Sequence, residues 1–307
     1  SISLYVHNGI ETDSNVIIGQ DAGFVSGAVP AAGAPVERIA IGVGAGKTNQ
    51  NASSIAIGTS AGTNAQNTYA VAIGEWAGKT GQQVRGIAIG VYAGEQGQGE
   101  RSVAIGTQAG EQGQGSRAVA IGGRAGYSNQ GDDAVGIGKE AGSSNQGTRS
   151  VAVGSFAGYN AQQASAVAIG DLAGYNAQQA SAVAIGDLAG RDNQGSQAVA
   201  IGVEAGKSNQ YGNAIAIGSR AGFTRQGNAA VAIGYGAGRT SQHSNTIVLY
   251  SNSIFTTTGL NTVQEDSFYV KPIREFASAN ALSYDSVTGE ITYREFPDGG
   301  ADTLQAV

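Results

Sequence analysis

Apolar and polar residues alternate along this chain in a pattern that repeats every sixteen residues. Its most regular part is a tetrad of a β-branched residue, a small residue, Ile or Val, and Gly. We number the positions of each repeat 1–16, so that this tetrad fills positions 13–16. A fixed period of this kind predicts a solenoid, in which each coil packs only on its neighbours. The tetrad glycine recurs without insertion at Gly42, Gly58, Gly74, Gly90, Gly106, Gly122, Gly138, Gly154, Gly170, Gly186, Gly202, Gly218 and Gly234.

The repeat is irregular at both ends of this series. An earlier tetrad ends at Gly19, 23 residues before Gly42, so we expect one coil to carry a seven-residue insertion around Pro30 and Pro35. A degenerate tetrad at 247–250 closes the series in register. The boundaries that follow are an N-terminal cap and irregular first coil at 1–38, a solenoid at 39–250, a C-terminal β cap and hairpin segment at 251–296, and a linker to a further module at 297–307.

Positions 13–15 predict a β-strand, because β-branched residues alternate there with a period of two. Positions 13 and 15 hold Val or Ile, as at Val103 and Ile105, and we expect these two columns to face the interior. Position 14 is Ala in the regular coils except at Gly136, and position 12 is usually Ala or Ser. A strand face made only of small side chains is unusual for a surface exposed to solvent, so we expect another surface to approach this Ala/Ser face closely.

The sixteen-residue coils from 43–58 to 219–234 are the regular coils. In each of them positions 3 and 4 are Ala-Gly, and glycine at positions 4 and 16 fits corners with positive φ.

Position 8 is Gln in every regular coil and in the coil at 235–250 that follows them. Identical amides stacked about 4.8 Å apart can bond to one another along the axis, so we expect an inward or seam-facing ladder. Its members are Gln50, Gln66, Gln82, Gln98, Gln114, Gln130, Gln146, Gln162, Gln178, Gln194, Gln210, Gln226 and Gln242.

Composition excludes several other classes of protein. The chain has 50 Gly without a three-residue period, 4 Pro and 41% hydrophobic residues, so it is neither collagen-like nor disordered. With a net charge of −6 the chain lacks the excess of Lys and Arg that proteins use to bind nucleic acid, so we expect no nucleic-acid partner. The absence of Cys excludes disulfides and thiolate metal sites, and no apolar run approaches the roughly 18 residues that a membrane span needs. Since the chain starts at Ser1 and has no Met, we expect a fragment or a processed product.

The sequence offers little catalytic chemistry. The glycines before Lys47 resemble the end of a phosphate-binding loop, but Ile41 stands where that motif requires Gly. The two histidines, His7 and His243, have no partner at a recognisable spacing. We therefore predict no catalytic residue, no bound metal and no cofactor, and we predict that the chain is not an enzyme.

Paired carboxylates are the one feature that could support catalysis or calcium binding. Glu95 and Glu111 share position 5, and Asp171 and Asp187 share position 1. Pairs of this kind can act as acid and base in a glycosidase. We interpret them as solvated charges copied by repeat duplication.

Aromatic side chains occur at positions 2 and 5, which also carry charged residues and are therefore expected to face solvent. Exposed rings there could stack on sugars or on a partner protein. The candidate ligand contacts are Trp76, Tyr92, Tyr127, Phe156, Tyr159, Tyr175 and Phe223.

Two family resemblances add to this interpretation. The tetrad coils resemble the head repeats of trimeric autotransporter adhesins, which are parallel β-rolls assembled as homotrimers, although those repeats are typically about fourteen residues long and lack the Gln column. Residues 269–274, 282–285 and 288–293 resemble segments that follow the shaft repeats in tail-fibre and spike proteins of phages and large DNA viruses. The last residues, 301–307, resemble the opening of a further fibre module.

The expected fold is thus an all-β parallel solenoid of sixteen-residue coils, assembled as a homotrimer, with a C-terminal β-hairpin. The leading functional hypothesis is a fibre or spike shaft on a virion or otherwise extracellular, whose partners are host glycan or protein and other fibre components. The second hypothesis is a single-chain solenoid that binds ice or polysaccharide through the Ala/Ser face. The third is a polysaccharide-degrading enzyme, which would require the Asp171 and Asp187 pair in a cleft.

Overall fold

The computed structural model describes residues 15–23, 37–250, 262, 264–271, 280–285 and 291–295. The chain divides into two compact units, Ser1–Lys271 and Pro272–Val307. The predicted N-terminal cap before residue 15, the insertion around Pro30 and Pro35, and the linker at 297–307 lie outside the described residues.

All regular structure in the described residues is β-structure. The strands are β1 (Asn15–Ile18), β2 (Arg38–Ile41), β3 (Ser54–Ile57), β4 (Val71–Ile73), β5 (Ile87–Ile89), β6 (Gln96–Gln98), β7 (Val103–Ile105), β8 (Gln112–Gln114), β9 (Val119–Ile121), β10 (Ser128–Gln130), β11 (Val135–Ile137), β12 (Val151–Val153), β13 (Val167–Ile169), β14 (Val183–Ile185), β15 (Asp192–Gln194), β16 (Val199–Ile201), β17 (Ser208–Gln210), β18 (Ile215–Ile217), β19 (Thr224–Gln226), β20 (Val231–Ile233), β21 (Thr240–Gln242), β22 (Ile247–Tyr250), β23 (Phe268–Lys271), β24 (Asn280–Tyr284) and β25 (Ile291–Glu295).

The tetrads form one parallel sheet of sixteen strands, in the order β1-β2-β3-β4-β5-β7-β9-β11-β12-β13-β14-β16-β18-β20-β22-β23. Each tetrad residue pairs with its equivalent in the next coil, so that Val151 lies beside Val167 and Ala152 beside Ala168. This register confirms the predicted parallel β-solenoid of sixteen-residue coils. At a strand spacing of about 4.8 Å, the sheet runs for roughly 70 Å.

A second parallel sheet forms at positions 6–8. It contains β6, β8 and β10 in one stretch and β15, β17, β19 and β21 in another. Single parallel bridges at position 6, such as Thr48 with Asn64 and Asn160 with Asn176, continue the pairing through the intervening coils. Each regular coil is therefore a tetrad strand and a second, shorter stretch of strand or single bridge, joined by two turns.

The interior of the solenoid is built from small residues and glutamine. The Ala side chains at positions 3 and 14, such as Ala173 and Ala184, are 0% exposed, and the residues at position 12 are also buried in most coils. The Val and Ile side chains at positions 13 and 15 lie on the opposite face of the same strands, where they are partly exposed. The prediction that Val and Ile face the interior while Ala faces outward was therefore wrong.

This orientation follows from the narrowness of the coil. The Gln side chain from the second sheet and the Ala side chain of position 3 occupy the space behind position 14, which leaves room for a methyl group. A Cβ added at Gly190, for example, would lie 3.1 Å from the Cβ of Ala184 and 2.6 Å from Oε1 of Gln194. Branched side chains do not fit there and are placed outside.

All thirteen glutamines of position 8 are buried. Their side-chain nitrogens donate to a backbone carbonyl of the tetrad strand, as Gln162 does to Val151 at 2.9 Å. In several coils the same nitrogen also donates to Oε1 of the next glutamine, as from Gln194 to Gln210 at 3.1 Å. The ladder therefore joins the two sheets within a coil and joins neighbouring coils along the axis.

Larger apolar residues replace Ala at both ends of the interior. Ile17 takes the inward place of β1 by pairing with Ala40, and it packs partly buried against the Ala cluster. At the other end Val248 and Tyr250 are buried, and Tyr269 of β23 packs against them. The sheet thus continues one strand past residue 250. At both ends the interior of the solenoid is covered by side chains larger than that of Ala.

In the second unit, β24 and β25 pair in antiparallel fashion, with Leu282 opposite Tyr293 and Tyr284 opposite Ile291. Both strands lie within the segment 251–296 for which a hairpin was predicted, and the hairpin itself stays a prediction. The turn between them, at 286–290, lies outside the described residues.

Candidate functional site

A long exposed apolar surface is formed by positions 13 and 15, and we call it the Val–Ile face. Exposed fractions reach 43% at Val16, 36% at Ile121 and 40% at Ile233. Two columns of apolar side chains, almost all of them Val or Ile, run along sixteen strands and cover an area of roughly 70 by 10 Å. That area exceeds the few hundred Å² that monomeric proteins usually expose in one apolar patch, and patches of this size mark interaction sites.

The Ala/Ser face, expected to receive a subunit or a ligand, is inside the coil. Ala184 at position 14 and Ala182 at position 12 are both 0% exposed. The small face is therefore unavailable to ice, polysaccharide or a second chain.

Positions 2 and 5 flank the Ala-Gly turn, and their side chains meet along one edge of the solenoid, which we call the aromatic ridge. At one place on it, Trp76 and Tyr92 have ring centroids 5.5 Å apart. The Lys79 Nζ lies 3.4 Å from the Trp76 ring centroid and 3.3 Å from a carboxylate oxygen of Glu95. The structure thus joins two of the predicted contact residues to a cation.

A second aromatic cluster lies farther along the ridge. The rings of Tyr159 and Tyr175 are stacked 5.0 Å apart and are nearly parallel, and Phe156 lies 5.8 Å from Tyr159 and 6.4 Å from Tyr175. The separation of the stacked rings follows the coil spacing. Lys139 and Arg191 lie near the rings at the two ends of the cluster, 5.1 Å from Phe156 and 6.0 Å from Tyr175.

The remaining two predicted contact residues stand apart from these clusters. Arg124 lies 4.8 Å from the ring of Tyr127, and Lys207 lies 5.2 Å from the ring of Phe223. Burial, and after it the negative charge of Glu111, raises the pKa of Tyr127. All seven aromatic candidates are half-buried, so their rings stabilise the ridge and still present part of their surface to solvent.

The paired carboxylates differ in environment. Glu95 and Glu111 are each only 7% exposed, whereas Asp171 and Asp187 are exposed. Within the described part of the chain, no cluster of three or more His, Cys, Asp or Glu side chains is arranged to hold a metal ion. Lys47, the lysine of the segment that resembles a phosphate-binding loop, places its Nζ 3.5 Å from a carboxylate oxygen of Asp21.

Ion pairs run along the ridge between neighbouring coils. The Glu204 carboxylate accepts hydrogen bonds from Lys207 at 2.7 Å and from Arg220 at 2.6 Å. Hydrogen bonding by Lys207, and then by Arg220, lowers the pKa of Glu204 against the opposing effect of burial. A carboxylate held in this way stays ionised and links coils at the solenoid edge.

Sequence reasoning missed the residues with left-handed backbone conformations. Non-glycine residues at positions 2, 7 and 11 have φ near +55°, as at Trp76, Asn129 and Arg149. None of these positions holds Val, Ile or Thr in the regular coils, and β-branched residues are the ones least able to adopt this conformation. The absence of β-branching in three columns was the signal that could have revealed these corners.

No known protein family, curated protein or solved structure matches this chain. In the part of the chain that the structure describes, no helix is long and apolar enough to cross a membrane.

Proposed function

We propose that this chain is the shaft of a fibre or spike, in which copies of the solenoid assemble in parallel through the Val–Ile face. The observation that carries the proposal is this face itself, which exposes Val and Ile side chains along a sheet of sixteen strands. The role is structural rather than catalytic.

A second copy of the same chain is the occupant that best fits the face. The interior consists mainly of Ala, Ser and Gln, with larger apolar side chains at its two ends, so most of the Val and Ile side chains of the solenoid lie outside. A face of roughly 70 by 10 Å approaches the 800 Å² per partner of a stable interface. Its burial would contribute on the order of 15 kcal/mol per chain before the costs of association. Copies aligned in parallel also share the same coil spacing, so their side chains can interdigitate along the full length.

The proposed assembly is a homotrimer. Each chain has one long apolar face, and a threefold axis lets that face contact two neighbours at once. The resemblance to trimeric autotransporter adhesin repeats supports the same number. The aromatic ridge, which borders the turn at positions 1–5, is the surface we propose for contact with host glycan or protein on the outside of such a shaft. The proposed location is a virion surface or another extracellular site.

Light scattering on the purified chain tests the assembly. We expect three times the 30.7 kDa chain mass. The triple variant Ile169→Asp, Ile185→Asp and Ile201→Asp places charges on the Val–Ile face and should yield monomers that keep their β circular dichroism. A monomeric wild type would refute the shaft assembly, and a dimer would refute the threefold arrangement.

A matched control places the same charges in the same coils but at exposed turn positions. The variant Gln163→Asp, Gln179→Asp and Gln197→Asp changes exposed side chains at positions 9 and 11. It should remain trimeric. Dissociation of this control would show that added charge alone, rather than its place on the Val–Ile face, separates the chains.

A second candidate function rests on the regularity of the same face. Branched methyl groups repeat along it at the strand spacing of about 4.8 Å, which could match a repetitive surface such as crystalline polysaccharide or ice. A monomeric wild type that pellets with insoluble polysaccharide, or that shapes ice crystals, would favour this function over the shaft.

The enzyme hypothesis now depends on two exposed carboxylates, Asp171 and Asp187. An acid and base pair needs a site that holds substrate between the two groups. If the wild type cleaves any of a panel of polysaccharides, the Asp171→Asn and Asp187→Asn double variant should abolish cleavage. Retained cleavage would exclude this pair as the catalytic groups.

A further inference from the structure

We propose that a concavity near the C-terminal end of the solenoid binds a single pyranose ring that carries a carboxylate. This inference deepens the attachment role under the proposed function. The concavity has a volume of about 320 Å³, which is at the lower end of the range for small-molecule sites. It lies at the turn that follows the second sheet, away from the residues of the aromatic ridge.

The concavity exists because a glycine separates two rings in the position 9 column. Tyr211, Gly227 and His243 occupy that position in three successive coils, and all three line the concavity. Gly227 cannot be replaced by a larger residue without disturbance, because a Cβ there would lie 2.5 Å from the backbone nitrogen of Ser244. The close stacking of coils thus forms the floor, and the rings form two walls two coil spacings apart.

A segment that follows the last regular coil completes the site. The backbone nitrogen of His243 donates to the Thr262 hydroxyl at 2.7 Å, and the His243 Nδ1 bonds with the same hydroxyl at 2.9 Å. The Asp266 nitrogen also donates to the carbonyl of Ser244 at 3.4 Å. These contacts hold the His243 ring in place and bring Glu265 to the rim of the concavity.

The lining has the chemistry of a sugar site. Tyr211 is 51% exposed and offers an open ring against which the apolar face of a pyranose can pack. Asn228 and Glu265 offer planar polar groups that can bond to hydroxyls. Together they suit a small polar ring rather than a long apolar ligand.

Arg225 selects for a carboxylate on that ring. Arg225 lines the concavity, and among the described residues no acidic side chain forms an ion pair with its guanidinium. A guanidinium binds a carboxylate by two parallel charge-assisted hydrogen bonds, which a neutral hydroxymethyl group cannot replace.

Saturation-transfer NMR titrations with the full chain test this site. The probes are methyl β-glucuronide and methyl β-glucoside, which differ only in the carboxylate. We expect saturable binding of the glucuronide at least about tenfold tighter than that of the glucoside. Arg225→Ala should remove this preference, and Tyr211→Ala should weaken binding of the glucuronide.

Two control variants change the same residue types outside the concavity. Arg149→Ala and Tyr69→Ala alter an exposed arginine and an exposed tyrosine at position 11 and should leave both titrations unchanged. Absence of saturable glucuronide binding, or a preference that persists in Arg225→Ala, would overturn the inference. Because all lining residues belong to one chain, a wild type that is not trimeric would still bind the sugar. A trimer that binds no sugar would contradict the proposed sugar site and leave the proposed shaft assembly intact.

Discussion

The side-chain nitrogen of Gln162 donates a hydrogen bond to Oε1 of Gln178, one coil farther along the solenoid, at 3.0 Å. The same nitrogen reaches the carbonyl of Val151 at 2.9 Å. Both glutamines are 0% exposed, so these bonds replace contacts that the amides would otherwise make with water. One buried side chain thereby connects two sheets and two coils.

Replacing Gln162 with Ala should destabilise the solenoid by about 1–3 kcal/mol, because the Val151 carbonyl and the Gln178 amide oxygen each lose a donor. Chemical denaturation followed by circular dichroism measures the change. Gln163→Ala, which alters the exposed neighbour, should shift stability by less than about 0.5 kcal/mol. Equal effects from the two variants would contradict the ladder.

Replacing Gly174 with Ala should also destabilise the fold. Gly174 has φ +54°, and a Cβ there would lie 2.7 Å from Oε1 of Gln178. The left-handed conformation alone costs about 1–2 kcal/mol for a residue with a Cβ. Gly123→Ala is the matched control, because a Cβ at Gly123 meets nothing within 4 Å. The melting temperature should fall for the first variant and stay nearly constant for the second.

The orientation of the tetrad can be tested on one strand. Ala184→Leu adds three carbons to the filled interior and should cost at least about 1–3 kcal/mol. Ile185→Leu changes a side chain on the Val–Ile face and should cost less than about 1.5 kcal/mol. Denaturation midpoints compare the two variants. A tolerated Ala184→Leu would mean that position 14 faces outward, against the structure.

The Glu204 ion pairs predict a loss of stability in acid. Hydrogen bonding by Lys207 and then Arg220 lowers the pKa of Glu204 in the folded chain. The contribution of these ion pairs to the free energy of unfolding is therefore complete above the ordinary glutamate pKa. It is lost as the pH falls through the lowered folded-state pKa. Glu204→Gln should flatten the acid side of the stability profile by about 1 kcal/mol or less. Melting temperatures between pH 7 and pH 2 measure it, and superimposable profiles would refute the linkage.

The sites could be predicted only in part. Positions 2 and 5 were identified as exposed aromatic columns because charged residues share them, and the structure brings Trp76 to Tyr92 and Tyr159 to Tyr175. The concavity beside Tyr211 could not be predicted, because it needs Glu265 from beyond the repeats. No repeat register extends to Glu265, so the sequence could not place it beside Tyr211.

The sequence by itself determined the coil length, the corner glycines and the parallel register, because a sixteen-residue period with invariant Gly and Gln leaves one way to stack identical coils. It predicted a glutamine ladder but left open whether the ladder faces inward or lies along a seam between subunits, and the structure places it inward. Only the tertiary structure decided which face of the tetrad strand is inside. Alternation with a period of two places Val183 and Ile185 on one face and Ala184 on the other, but it is symmetric between the two. The space left by Gln194 and Gly190 settled the choice, because it admits a methyl group and excludes a branched side chain.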